Sequence, residues 1–322
     1  MPREAAADRR FRNAVERLRM PGMGTEVVAP LLASLIHLVR PHRVLEIGMG
    51  HTTPFLARAL AEAEEQAAAE ADGLARKTLP YLEDGRELDE DWVQAEPALL
   101  VPSRYLEPYR PKLVAIDDFS DADSSAPRVT RALAELGLAD RVTVVNADLR
   151  SAVERLPDEF RPIDFAWVDA WDCLYFFENC WELIDPDGGI VVMHYLMTYP
   201  EGEAILQYIA ESQRLRPGEF EVLSLLESHK LRQNSVTVLR RTGGATPREY
   251  SDTGQRPRLG GRMRADALAL ARSLETPGGG RPRHPGAENG SREELRKPRD
   301  AARATAVRTS AAAPDTGRRE QA

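Results

Sequence analysis

Short apolar runs alternate between residues 25 and 242 with longer stretches in which apolar residues recur at helical spacing. Helical spacing is clear from Val27 to Val39, and a buried strand follows at 44–47. Four more strand-like runs, separated by helical stretches, lie at 113–116, 142–145, 163–168 and 189–192. This alternation predicts a mostly parallel α/β sheet with helices on both faces.

The last part of this region has a different pattern. A helical stretch at 201–213 leads into two apolar runs, 220–226 and 236–239, which are joined by a polar stretch. Two such runs in sequence favour an antiparallel hairpin. Five β/α units followed by a hairpin predict a doubly wound, seven-stranded, Rossmann-like sheet with an antiparallel C-terminal hairpin.

Charge and composition divide the chain into three parts. The net charge is −8, yet Lys and Arg outnumber Asp and Glu in 243–322, so the acidic excess lies in residues 1–242. The segment 243–322 is rich in Gly, Pro, Ala and Arg, which predicts a disordered low-complexity tail, with a turn or two of helix at 264–274. Residues 1–24 form a predicted N-terminal helical segment, and 25–242 form the folded domain.

Several classes of partner are disfavoured by these features. An acidic domain is a poor match for nucleic acid, and no apolar run is long enough to cross a bilayer or to form a signal-peptide core. Cys173 and Cys180 are predicted to share a helix at a spacing too long for a disulfide. We therefore expect a cytoplasmic protein that acts on a small molecule or peptide. The N-terminal helix could cover a cleft or form a homodimer contact.

An insert at 78–112 separates the first helix, predicted to end near Lys77, from the second strand. Connections in compact α/β units are usually much shorter. The insert carries four aromatic residues, Tyr81, Trp92, Tyr105 and Tyr109. We expect it to act as a lid or docking surface at the carboxyl edge of the sheet, with a simple packing patch as the alternative.

Polar residues follow each of the first four strands, where open α/β sheets bind ligands. The four sites are Glu46-Ile47-Gly48-Met49-Gly50, Asp117-Asp118, Asn146-Ala147-Asp148 and Asp169-Ala170-Trp171-Asp172. An acid with two glycines before a helix suits an amino-acid group, and a carboxylate suits ribose hydroxyls. A ligand with an amino-acid end, a ribose and an adenine would match these sites in order.

The resemblance to a known family rests on four segments: VLEIGMGHTTPFLARAL, KLVAIDDFS, RVTVVNADLRSAVERLP and IDFAWVDAWDCLYFFENCWELIDPDGGIVV. They resemble the successive motifs of class I S-adenosylmethionine (SAM)-dependent methyltransferases, nearest the catechol O-methyltransferase-like group and its bacterial relatives. The resemblance covers residues 25–241.

The resemblance implies cofactor contacts at all four strand ends. By this resemblance, the loop ending at Thr52 holds the methionine part of the cofactor through Glu46, Gly48 and Gly50. Asp117, or else Asp118, is expected to bind the ribose, and Asp148 and Leu149 to flank the adenine. Asp169 and Trp171 are expected to lie beside the reacting methyl group.

One position departs from the metal-dependent relatives. They carry an Asp-Asn pair after the fifth strand, which helps to hold magnesium, whereas this chain reads Met193-His194-Tyr195. Without two hard oxygen ligands we predict no metal. His194 becomes the candidate general base, oriented by Asp169 or Asp172, unless it is only a packed histidine.

The sequence thus predicts metal-independent O-methylation of a small or medium-sized substrate, typical of specialised metabolism in a GC-rich bacterium. N-methylation of an amine or peptide, and a non-methylating enzyme such as a cyclase on the same fold, stay open. A nicotinamide-dependent oxidoreductase is disfavoured because Thr53 stands where the third glycine of its motif would be.

Overall fold

A computed structural model describes residues 2–170, 172–229, 234–243 and 260–275 of the 322-residue chain, with side chains described from residue 7 onward. The helices are α1 (Pro2–Glu16), α2 (Thr25–Val39), α3 (Thr53–Glu83), α4 (Glu90–Gln94), α5 (Ala126–Leu136), α6 (Leu149–Ala152), α7 (Cys173–Asn179), α8 (Pro200–Leu215) and α9 (Gly261–Glu275). The strands are β1 (Arg43–Ile47), β2 (Lys112–Asp117), β3 (Val142–Asn146), β4 (Phe165–Val168), β5 (Ile190–His194), β6 (Phe220–Leu226) and β7 (Ser235–Arg241).

The seven strands form one sheet in the order β3-β2-β1-β4-β5-β7-β6. Strands β1 to β5 pair in parallel, while β7 runs antiparallel to both β5 and β6. This confirms the predicted doubly wound sheet with its antiparallel hairpin. The strand order reverses between β1 and β4, so the carboxyl ends of these two strands open a crevice.

The central strands are apolar on both faces because helices cover both. Successive side chains of a strand point to opposite faces. Val44 accordingly packs with α2, α3 and α5, whereas Leu45 and Ile47 pack on the other face with α6, α7 and α8. The Trp167 side chain in β4 is completely buried. Two apolar layers therefore fix the strands whose ends carry the polar residues.

The insert does not cover the carboxyl edge, so the predicted lid is wrong. Helix α3 runs back along the sheet and extends to Glu83, beyond the predicted end at Lys77, and the chain then returns to the start of β2. The Tyr109 hydroxyl donates to the Pro41 carbonyl at 2.8 Å, beside the start of β1. A connection from a helix to the next parallel strand must reach the amino end of that strand. The insert joins α3 to β2, so it lies at the amino edge of the sheet and not at the carboxyl edge.

The insert instead builds a third apolar cluster with α3 and α9. Trp92 is buried there, and its indole nitrogen donates to the Thr78 hydroxyl at 3.0 Å. On α9, Ala267 and Leu270 pack against the same cluster. The tail thus contributes a full helix where only a turn or two were expected. No helix in the described part of the chain is long and apolar enough to cross a membrane.

Candidate active site

A cavity of about 450 Å³ opens at the crevice between β1 and β4. Its wall is formed by the loop after β1, the ends of β2, β3 and β4, and residues 18–25, which we call the entrance segment. This volume lies in the range of about 300–1,000 Å³ that is usual for small-molecule sites. The four polar strand ends identified in the sequence therefore meet around one cavity.

Gly48 lets the loop after β1 turn close to β4. Its φ is +88°, and a Cβ atom there would lie 2.6 Å from the Asp169 carbonyl oxygen, so no larger residue fits. At Gly50, by contrast, the nearest atom to an added Cβ would be the Ser125 hydroxyl at 3.9 Å. The space beside Gly50 belongs to the cavity, which leaves the backbone open to a ligand.

Glu46 and Thr52 lie beneath the loop and do not line the cavity. The Glu46 side chain is completely buried, and the Thr52 hydroxyl donates to its carboxylate at 2.7 Å. The indole of Trp167 donates to the same hydroxyl at 3.2 Å. Burial raises the pKa of Glu46 to about 8, although hydrogen bonds from Thr52 and Thr53 oppose the shift.

The carboxylate of Asp117, at the end of β2, faces the cavity and ties two loops together. It accepts from the Met49 backbone N–H at 2.7 Å and from the Ser124 hydroxyl at 2.5 Å. Asp118 also lines the cavity and accepts from the Ser120 backbone N–H and hydroxyl, which lowers its pKa. Both candidates for the ribose therefore lie at the site.

The residues predicted around the adenine also line the cavity. Asp148 accepts from the Arg150 backbone N–H at the start of α6, and the Leu149 side chain is buried beside it. Asp169 and Asp172 complete the wall on the β4 side. Trp171 lies outside the described residues.

The lining of this cavity is strongly acidic. Among the described residues that line it there are seven aspartates and neither a lysine nor an arginine. The aspartates are Asp117, Asp118, Asp121, Asp123, Asp148, Asp169 and Asp172. Such a wall favours a cationic, hydroxyl-bearing ligand and opposes the pyrophosphate of a dinucleotide.

A second, mostly apolar cavity of about 230 Å³ adjoins the first. Met23, Asp169 and Ala170 line both cavities. Its remaining lining comes from the region after β5 and from the starts of α7 and α8. A bound cofactor and a second molecule would therefore meet at Asp169.

His194 is the last residue of β5 and lines the second cavity. Its side chain is fully buried, with Nδ1 2.8 Å from an Asp169 oxygen and Nε2 2.5 Å from the amide oxygen of Asn234. The ring stacks on Tyr195, with 3.5 Å between ring centroids. The structure thus brings His194 and Asp169 into direct contact, while no hydrogen bond joins His194 to Asp172.

Sequence reasoning missed several features of the site. The entrance segment contributes Leu18, Met20 and Met23, whose apolar side chains carry no recognisable site motif. His51 also lines the cavity, and burial of its side chain lowers its pKa. Asn234 lies in the C-terminal hairpin, far along the chain from the motifs, and only the fold could reveal its contact with His194.

Residues 45–195 match the sequence model of a family described as a methyltransferase domain. The matched stretch runs from β1 to the residue after β5 and contains every strand end around the acidic cavity. This stretch is a methyltransferase domain. The predicted family, enzyme class and cofactor, SAM, are confirmed by the match. A comparison with curated proteins found no match.

Solved structures similar to the methyltransferase domain and its flanks include two O-methyltransferases. One is TomG from Streptomyces achromogenes, involved in tomaymycin synthesis and solved with SAM: 18% identity, TM-score 0.47, covering 73% of this chain and 90% of that chain. The other is from Bacillus cereus, in complex with S-adenosylhomocysteine: 15% identity, TM-score 0.46, covering 74% and 91%. At these values the likenesses carry no functional argument.

The residues of the acidic cavity fit SAM on their own chemistry. The open space beside Gly50 can admit a ligand against the backbone, and the aspartate wall suits a sulfonium and an ammonium group. Among the described residues, no three His, Cys, Asp or Glu side chains are grouped so as to hold a metal ion. Independence from metal stays a prediction.

Proposed function

We propose that the protein transfers a methyl group from SAM to a hydroxyl of a small substrate, without a metal ion. The observation that carries this proposal is the buried contact between Asp169 and His194 at the junction of the two cavities. His194 belongs to the stretch Met193-His194-Tyr195, which by resemblance stands where metal-dependent relatives carry their Asp-Asn pair. A hydroxyl needs a proton acceptor, and here a carboxylate–imidazole pair is available at the place where both ligands would meet.

When bound, SAM supplies a methyl group on a sulfonium, which is already a strong electrophile. The chain's task is then to align the substrate oxygen and to receive its proton. Asp169 reaches both cavities and is the residue through which the two ligands would be brought together. His194 fixes that carboxylate by a direct hydrogen bond, and Asp172 lies on the cofactor side.

The second cavity limits the size of the substrate. A cavity of about 150 Å³ can hold a benzene molecule, so a cavity of about 230 Å³ suits a single substituted ring or an aliphatic group of similar bulk. Apolar and aromatic side chains such as Leu196, Tyr199 and Ile205 line it. We infer a small phenol or alcohol as the substrate, compatible with specialised metabolism.

N-methylation is the second candidate, because the acidic side chains of the second cavity favour a cationic amine substrate over an anionic one. Asp169 and Glu201 line this cavity, and among the described residues there is neither a lysine nor an arginine in its lining. An amine could therefore be held there as well.

The acidic lining also argues against a nucleic-acid substrate. We place the reaction in the cytoplasm, in agreement with two free, buried cysteines.

The test combines cofactor binding with product formation. Calorimetric titration should detect SAM binding, and incubation with a panel of one-ring phenols, alcohols and amines should yield S-adenosylhomocysteine together with a methylated product. Asp169→Asn should lower kcat by at least about 100-fold, because the acceptor at the junction is lost. Asp140→Asn, on an exposed residue outside both cavities, is the matched control and should behave as wild type.

Each outcome has a defined meaning. SAM binding without methyl transfer to any compound would support a non-methylating enzyme, and amine products alone would support N-methylation. Activity that disappears with EDTA and returns with Mg²⁺ would refute metal independence. An Asp169→Asn variant with wild-type kcat would remove Asp169 from the mechanism.

A further inference from the structure

Both ring nitrogens of His194 are occupied by side chains of the protein. Nδ1 faces the Asp169 carboxylate at 2.8 Å, and Nε2 faces the amide oxygen of Asn234 at 2.5 Å. The imidazole is fully buried between Tyr195 and Trp167, with ring centroids 3.5 and 5.2 Å away. The ring therefore has a fixed orientation. Whether each ring nitrogen carries a hydrogen depends on whether its partner, Asp169 or Asn234, is a hydrogen-bond acceptor.

The orientation of the Asn234 amide follows from its other contact. The Asn234 Nδ2 group donates to the Gly24 carbonyl oxygen at 3.1 Å. A backbone carbonyl only accepts, so the nitrogen of the amide must face Gly24 and its oxygen must face His194. Rotating the amide by 180° would set two acceptors against each other and lose this bond.

Both partners of His194 are thus acceptors. The Asn234 oxygen accepts from Nε2–H, and the ionised carboxylate of Asp169 accepts from Nδ1–H, so both nitrogens carry hydrogen whenever Asp169 is ionised. Such an imidazolium has no lone pair left with which to take a proton from a substrate. The sequence-based role of His194 as base and Asp169 as its orienting group is then reversed.

We propose that Asn234 is a positioning residue that holds His194 as an imidazolium, so that His194 orients Asp169 and Asp169 receives the substrate proton. The second half of this statement rests on the proposed O-methylation. As the new O–C bond forms, the C–S bond breaks and its electron pair stays on sulfur, and the O–H proton passes to the Asp169 carboxylate. The positive charge lost at sulfur is matched by the proton gained at Asp169.

The same contact connects the pair to the entrance segment. Gly24 has φ +69°, and a Cβ atom there would lie 2.6 Å from the Asn234 side chain, so a glycine is required for this approach. The Tyr195 hydroxyl also donates to the Met23 carbonyl. Asn234 can therefore hold His194 in this way only while the entrance segment lies against the hairpin.

The proposal can be tested on the full-length protein without knowing the substrate. In protein labelled with ¹⁵N-histidine, long-range ¹H–¹⁵N spectra distinguish nitrogens with and without hydrogen. The chain has six histidines, and the His194 signals can be assigned by their loss in His194→Gln. At pH 7.5 we expect both His194 nitrogens to carry hydrogen in the wild type. A hydrogen-free nitrogen would overturn the proposal.

Variants of Asn234 separate positioning from simple structural support. Asn234→Leu removes the acceptor, so Nε2 should lose its hydrogen, while Asn234→Asp keeps an acceptor and should retain the imidazolium. Asn179→Leu, on an exposed Asn whose amide bonds only within α7, is the matched control and should give the wild-type spectrum. An unchanged His194 spectrum in Asn234→Leu would contradict the proposal. If that variant does not fold, the wild-type spectrum still decides.

Kinetics with the best compound of the panel give a second reading. Asn234→Leu should lower kcat by about 10- to 100-fold, as expected for one hydrogen bond to a charged group, and should leave the KM for SAM within about twofold. Asn234→Asp should recover part of kcat, because it keeps an acceptor for Nε2–H but loses the donor to the Gly24 carbonyl. An imidazolium in a protein that methylates nothing would refute the proposed function alone. An active enzyme whose His194 has a hydrogen-free nitrogen would refute the role of Asn234 alone.

Discussion

Replacing Glu46 by Gln should change how stability depends on pH. Glu46 is completely buried beneath the loop after β1, and burial raises its pKa from the usual 4.5 to about 8. Between these two values the folded protein keeps a proton that the unfolded chain has released. Stability from this group therefore falls as pH rises through the window, and the loss is complete above about pH 8.

The size of the effect follows from the same two values. A pKa difference from 4.5 to about 8 corresponds to about 5 kcal/mol at about 1.4 kcal/mol per pH unit, as an upper limit. Roughly 3 kcal/mol of this falls between about pH 6 and about pH 8. The side chain introduced by Glu46→Gln cannot ionise, and like protonated Glu46 it can accept from Thr52, so the variant should not show this loss.

Urea unfolding of wild type and Glu46→Gln at pH 6 and pH 9 measures the effect. The variant should be more stable by up to roughly 2 kcal/mol at pH 6 and by up to roughly 5 kcal/mol at pH 9. The difference between the two proteins should thus widen by roughly 3 kcal/mol, or by roughly 6–12 °C in Tm. Asp140→Asn changes an exposed carboxylate and should follow the wild type. If wild type and Glu46→Gln lose the same stability between pH 6 and pH 9, ionisation of Glu46 is not coupled to folding.

Three further results are expected. Gly48→Ala should unfold at a lower temperature and bind SAM at least about tenfold more weakly, because its Cβ would meet the Asp169 carbonyl oxygen at 2.6 Å; wild-type binding by calorimetry would contradict this. Asp117→Asn should weaken SAM binding by at least about tenfold, because its carboxylate faces the acidic cavity and accepts from the loop after β1; an unchanged Kd would remove it from the site. Truncating the chain before 260 should lower the unfolding free energy by a few kcal/mol and shift tryptophan fluorescence to the red, because α9 buries apolar side chains against the insert; SAM affinity should stay within about twofold.

The succession of strands along the chain could be predicted because each central strand is a short apolar run followed by polar residues. Those polar residues also pointed to the acidic cavity, since Asp117 ends β2, Asp148 follows β3 by two residues, and the fold class dictates the direction of both strands. Local patterns carry this information because a parallel strand buried on both faces needs an uninterrupted apolar run.

What the sequence could not provide depends on contacts between distant segments. The insert was assigned to the wrong edge because its aromatic residues indicate burial but not location. The entrance segment and Asn234 reach His194 through the packing of the N-terminus on the C-terminal hairpin. The charge on His194 similarly depends on which way one amide is turned, and this depends on the Gly24 carbonyl.

The aspartate wall of the acidic cavity has a consequence for product inhibition if SAM binds there. Methyl transfer converts a sulfonium into a neutral thioether, so the departing molecule carries one positive charge fewer than the one that entered. The described lining residues include seven aspartates and neither a lysine nor an arginine. This wall therefore holds the charged cofactor more strongly than the neutral product. The enzyme should therefore discriminate between reactant and spent cofactor by charge, with a selectivity that narrows as ionic strength rises.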